Sequence, residues 1–248
     1  MLQEISLLHA GNCLIDQSEL VTGSEEGTLV RVPIWMYLLR TDDALLLVDS
    51  GMPTECIGNE RYFSGEQDGD HILPQMQADD AVARVLARQG YSIGDLDALI
   101  STHWHFDHAG GNRLFHGKPV LVHPAELEQA RTETALPVWV DLSLDFRPVA
   151  DGDQPAAGIT LLHTPGHTPG HLSLLLHPSG ERPIMLTIDA AYTARNWMEN
   201  LPGAMVDPAL GMRSVSRLQA LAREESAVVF FGHDAAQAQE PLWQKLAR

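Results

Sequence analysis

Residues 101–112 read STHWHFDHAGGN and hold four side chains of metal-binding type within six positions: His103, His105, Asp107 and His108. Imidazole and carboxylate suit zinc and other borderline or harder divalent cations. The run just upstream, DALIS at 97–101, reads as a short buried strand. If that strand continues, His103 and His105 point to the same side, because strand side chains repeat every two residues. Asp107 and His108 then fall in a turn with Ala109, Gly110 and Gly111 and can aim at a second point. The spacing therefore suits two metal ions better than one. A solvated His-rich loop has no need of this order of residues.

Three more segments place residues of the same type where strands end. The first is HTPGHTPGH at 163–171, whose two Pro-Gly pairs make a rigid loop with His167 at its centre and His171 opening the next strand. The second is Asp189 after the apolar run ending at Ile188, and the third is His233 in FFGHD at 230–234. A dinuclear centre needs about three protein ligands per metal and a bridging group. His103, His105 and His167 make one set; Asp107, His108 and His233 make the other. Asp189 is the natural bridge, since a carboxylate can offer one oxygen to each ion. Asp49 ends an earlier strand and reads as a carboxylate that orients a metal-binding histidine. His9, His71, His116, His123, His163 and His177 lack such placement and read as bystanders.

The rest of the composition bounds the function. The 248 residues are 44% hydrophobic and 20% charged, ordinary for a globular chain with a real core. A formal net charge of −17 without any Lys/Arg-rich run argues against nucleic acid and anionic membranes as partners. No apolar run approaches the ~20 residues of a membrane span, and MLQEISLLHAG lacks a basic leader region. Cys13 and Cys56 read as reduced thiols of a cytoplasmic protein.

Along the chain, 2–8 reads as a strand, and 32–40 with 44–49 as a hairpin turned by Thr41, Asp42 and Asp43. Residues 56–77 read as a long loop with short helical pieces, able to cover the site and touch a substrate through aromatics such as Phe63. A helix is expected over 79–89, capped by an aspartate and stopped at Gly90, and another near Gly110. Strands are expected at 119–122, 159–162, 172–176, 183–188 and 227–231. Helices are expected at 124–132, with Glu126, Glu128 and Arg131 outward, and at 212–223, with Val215, Leu218 and Leu221 or Ala222 inward. Residues 133–158 read as irregular, anchored by Trp139 and Phe146. With no linker or repeat, the chain reads as one α/β domain over 1–248, with sheets inside and helices outside.

HWHFDH, the later GHTPGH, Asp189 and His233 resemble the metallo-β-lactamase superfamily, hydrolase branch. Within it, VPIWMYLL at 32–39, LVDSGMP at 47–53, NERYFSG at 59–65, ILPQM at 72–76 and LTIDAAYT at 186–193 resemble the N-acyl-homoserine lactone lactonases, the enzymes of quorum quenching. The resemblance implies an αββα sandwich with metals at the edge between two sheets, and His167 rather than His171 as the ligand from the Pro-Gly loop. It implies a small-molecule lactone as substrate, opened to the N-acyl-homoserine by a hydroxide bridging two divalent metals, zinc first, with cobalt, manganese or iron also acceptable to these ligands. Tyr192, three residues after the bridging aspartate, stands where the family contacts substrate, and Phe106 matches a residue near the acyl side. Asp107 is implied as ligand and proton shuttle. The alternatives on this scaffold are a glyoxalase II-like thioesterase, a β-lactamase or a phosphodiesterase, and, in another class, a flavin-partnered diiron electron-transfer protein. The sequence allows a homodimer without establishing one.

Overall fold

In the computed structural model, which describes residues 1–64, 71–132 and 136–239, the chain opens with β1 (Leu2–Asp16), the single turn α1 (Gln17–Leu20), β2 (Leu29–Thr41), β3 (Leu45–Val48) and β4 (Ile72–Gln75). Then follow α2 (Val82–Arg88), β5 (Ala98–Ile100), the short α3 (Phe106–Ala109), β6 (Pro119–Val122), α4 (Pro124–Thr132) and β7 (Asp145–Pro148). The C-terminal part adds β8 (Ile159–His163), β9 (Leu172–Leu176), β10 (Ile184–Leu186), α5 (Ala194–Glu199), α6 (Pro208–Glu224) and β11 (Val228–Phe230). No helix among the described residues is long and apolar enough to cross a membrane.

The strands form a seven-stranded sheet ordered β4-β1-β2-β3-β5-β6-β7 and a four-stranded sheet ordered β11-β10-β9-β8. Strand alternation explains how they stack. Along β2, Ile34, Met36 and Leu38 face one core with Val82, Val85 and Leu86 of α2. The intervening Trp35, Tyr37 and Leu39 face a second core, between the sheets, with Leu172, Leu174 and Leu176 of β9. On the far side of the small sheet, Leu175 and Met185 meet Leu218 and Ala222 of α6. The result is the αββα sandwich: helix, sheet, sheet, helix.

The hairpin at Thr41 forms as expected, its hydroxyl accepting the Ala44 N–H at 2.9 Å. Other expectations need correction. The first strand runs on to Asp16, so it can pair with both β2 and β4. The helix expected over 79–89 is two pieces: Asp80 accepts the Gln77 N–H at 2.8 Å and closes its own 3₁₀ turn, and Ala81 is extended before α2 begins. Part of the expected 56–77 loop is β4, and residues 65–70 of it lie outside the described residues. The stretch 133–158 contains β7, with 133–135 also outside the described residues. Helix α5 was not expected from sequence. Glu126, expected to face outward, is 3% exposed. Cys13 and Cys56 are both buried free thiols.

Candidate metal centre

β5 ends at Ile100, five residues sooner than a strand carrying both histidines would require. His103 and His105 therefore come from the loop that follows. His103 is fully buried while His105 opens to the pocket, yet their rings stand 4.8 Å apart. Asp107 and His108 sit on α3 rather than in an open turn. His167 is carried by the β8–β9 loop, Asp189 by a short turn after β10, and His233 by the residues after β11. The glycines beside them permit close approach: a Cβ on Gly232 would lie 2.5 Å from Asp189 Oδ1.

The seven side chains gather as two groups: His103, His105, His167 and Asp189 in one, Asp107, His108 and His233 in the other. Within each, the candidate ligand atoms lie within 4.8 Å of one another. Asp189 stands between them. Its Oδ2 is 3.2 Å from His167 Nε2 and 3.6 Å from His103 Nε2. Its Oδ1 is 3.4 Å from His108 Nε2 and 3.2 Å from His233 Nε2. Asp107 Oδ2 is 3.5 Å from both His108 Nε2 and His233 Nε2.

Each of four imidazoles presents Nε2 because its Nδ1–H is engaged behind it. His108 Nδ1–H donates to Asp49 Oδ2 at 2.8 Å, His167 to the Ala204 carbonyl at 2.9 Å, and His233 to the Pro33 carbonyl at 3.0 Å. His103 donates to Thr102 Oγ1 at 3.1 Å, and that hydroxyl donates to Asp49 Oδ2 at 2.9 Å. Asp49 thus holds supports of both groups. It does so from a left-handed backbone, φ +60°, and Ile188 beside Asp189 has φ +49°. Such conformations cost of order 1–3 kcal/mol each and persist where the surroundings impose them. His171 belongs to neither group. Its Nε2 accepts the Asp189 N–H at 3.1 Å and its Nδ1 faces Thr164 Oγ1 at 2.9 Å, so its lone pair steadies the backbone.

These residues fit a pair of cations. His108 Nε2 and Asp189 Oδ1 are buried without a hydrogen-bond partner at the centre of the cluster, and such orphaned atoms in a native core call for a ligand or ion. Burial pushes His103 well below the usual imidazole range, leaving it neutral, the form that binds metal. Burial would lower His108 and His233 too, but Asp189 and Asp107 overcome it and raise both. Burial would raise Asp189; the charges of His108 and His233 hold it well below the carboxylate range. The cluster demands positive charge, which divalent cations supply when they displace those protons.

A cavity of about 640 Å³ opens onto this cluster between Leu20, Val32, Ile72, Phe106, Tyr192 and Met205. Tyr192 is buried; its hydroxyl donates to the Ala204 carbonyl at 3.2 Å and stands 3.2 Å from His167 Nδ1. Phe106 separates this cavity from a second of about 290 Å³. Phe63 lines that second cavity and packs on Phe106 with ring centres 4.6 Å apart. Trp139 closes its far side and donates Nε1–H to the Trp104 carbonyl at 3.1 Å. Three participants had no signal in the sequence. The Pro33 and Ala204 carbonyls act through backbone, and Glu19, also lining the main cavity, stands in no motif.

The metallo-beta-lactamase superfamily model matches residues 29–233. An N-acyl homoserine lactonase of a Bacillus sp. is 39% identical over 236 residues, covering 95% of this chain and 94% of the relative. The N-acyl homoserine lactonase AiiA of Bacillus thuringiensis subsp. kurstaki is 37% identical over the same shares. The solved structure of an N-acyl homoserine lactone hydrolase with the product N-hexanoyl-L-homoserine at its catalytic metal centre superposes with a TM-score of 0.93 at 37% identity, covering 96% of each chain. The chain therefore belongs to the metallo-beta-lactamase superfamily and, within it, to the family of N-acyl homoserine lactonases.

Proposed function

We propose that the protein hydrolyses the lactone ring of N-acyl homoserine lactones to N-acyl homoserines, using two divalent cations, zinc in the first place, held by His103, His105 and His167 and by Asp107, His108 and His233, with Asp189 shared. The observation that carries this reading is the Asp189 carboxylate facing one group of imidazoles with each oxygen. Bound there, the cations supply Lewis acidity and a water acidic enough to ionise near neutral pH. Ligands from both sheets support one catalytic unit over 1–248, and two buried free thiols support a cytoplasmic location.

The chain's own groups have separable tasks. Water adds to the lactone carbonyl carbon, the ring C–O bond breaks, and the departing alkoxide takes a proton. Burial lifts the Tyr192 phenol well above its usual value, with Asp189 adding to the effect, so it remains a donor. From its place beside Ala204 it can turn to the carbonyl oxygen as charge develops there. Asp107, at the cavity wall, can carry the proton to the alkoxide. Phe106 and Phe63 flank the acyl side and keep water from it. The cysteines offer no nucleophile, since burial pushes the Cys56 thiol up to about 12 and raises Cys13 further.

The test is acid release from a medium-chain N-acyl homoserine lactone in weak buffer near neutral pH, before and after chelation. Release that disappears with the metal and returns with zinc or cobalt supports the reading. No release from protein holding two metals overturns the substrate assignment and redirects it to another ester or thioester.

A further inference from the structure

Glu126 is a buried carboxylate with no cationic partner among the described residues, an arrangement that costs stability unless its oxygens are fully used. Its Oε1 accepts the Thr168 hydroxyl at 2.5 Å and the Gly170 N–H at 2.8 Å. Its Oε2 accepts the Trp104 N–H at 3.2 Å. Trp104 lies between His103 and His105, and Thr168 follows His167. One side chain on α4 therefore ties together the two loops that carry the first histidine group. The approach is close enough that a Cβ on Gly170 would stand 2.7 Å from Glu126 Cγ. Glu126 and Thr168 also border the second cavity beside Phe106. The loops so joined hold the His105 and His167 rings 4.4 Å apart and nearly perpendicular. The second group has other supports, Asp49 behind His108 and the Pro33 carbonyl behind His233, and neither bonds Glu126.

We propose that Glu126 is a positioning residue: by clamping the Trp104 and Thr168–Gly170 backbones, it sets the spacing of His105 and His167 and so the cation affinity of the first group alone. It is none of the candidate ligands, and its three hydrogen bonds all go to the two loops. The inference rests on the two-cation reading above. Glu126→Gln separates the clamp's parts: the amide oxygen can keep Thr168 and Gly170, but an NH₂ then faces the Trp104 N–H, donor against donor. Glu126→Ala releases all three donors.

The experiment strips the full-length protein of metal and titrates it with Co²⁺, following ligand-field absorbance and binding heat, with the thermal midpoint of the metal-free protein measured alongside. Wild type should take up two equivalents. In Glu126→Gln one equivalent should bind as in wild type and the other about 10–100-fold more weakly, the usual cost of losing a supporting partner. The metal-free midpoint should not fall, because a buried charge has been removed. Excess Co²⁺ should then restore turnover with little change in KM. Two wild-type-like equivalents in both variants would overturn the proposal, as would equal weakening of both equivalents with a lowered metal-free midpoint, the mark of a merely structural role. Fewer than two equivalents in wild type would instead overturn the two-cation reading beneath it.

Discussion

At the scale of single residues, Asp107 and Tyr192 differ in what surrounds them, and their variants should differ accordingly. Asp107 faces His108 and His233 with one oxygen and the cavity with the rest of its surface. Asp107→Asn should leave the fold intact and lower kcat by about 10²–10⁴-fold, the range of a lost proton-transfer group; turnover near wild type at equal metal content would remove Asp107 from the mechanism. Tyr192 touches the first group only through the back of His167 and the Ala204 carbonyl. Tyr192→Phe should keep both metals and lose about tenfold in kcat, or about 1.4 kcal/mol of transition-state stabilisation. Metal loss in that variant would give the hydroxyl a structural role. The sequence revealed the candidate ligands because they sit in short strand-end motifs whose spacing has few other uses. It did not reveal Glu126, whose place on a polar helix reads as solvent-facing and whose partner Thr168 is 42 residues away.

At the scale of elements, the site depends on how closely α3 docks. A Cβ on Gly110 would overlap the backbone of Met52 and Pro53, neither of which can swing aside. Gly110→Ala should therefore cost about 1–3 kcal/mol through overpacking, read as a lower urea midpoint with unchanged slope, and it should loosen Asp107 and His108 with the helix. An unchanged midpoint would show that the loop at 49–53 yields. The elements that sequence reasoning missed have a common cause. β4 and β7 are the two edges of the seven-stranded sheet, and each contains a proline, Pro74 and Pro148, which edge strands tolerate; the inner strands take theirs only at special positions, Pro33 of β2 beside a register shift and Pro119 at the start of β6. β7 is also largely exposed, so the apolar alternation that announced β2 has no core to record there. The helix expected over 79–89 split because Asp80 and Gln77 satisfy a turn of their own, a choice made by hydrogen bonds that periodicity does not register.

At the scale of the whole molecule, layer order was legible because strands buried on both faces show near-continuous apolar runs and α6 shows one apolar stripe. Which strands neighbour which was not, since register and crossover are decided by distant partners. The proposed cations join those distant partners and should stabilise accordingly. Two sites, each with free metal about 100-fold above Kd, add about 5 kcal/mol, so chelation should lower the thermal midpoint by roughly 10–20 °C. A midpoint insensitive to chelator would mean that the cluster is held by protein contacts alone. The bond from His233 to the Pro33 carbonyl spans 200 positions of the chain, and it bears on the order of events during refolding. Local contacts form first and the most distant pairings last, so the second group cannot be complete until the final strand is seated, long after residues 103–108 could have found one another. Tight uptake of the second cobalt should then trail the recovery of tryptophan fluorescence in a refolding experiment, and simultaneous recovery would place this closure early. In that order of events, a nascent chain holding one ion is an unfinished one, and full loading reports that the segment after β11 has reached β2.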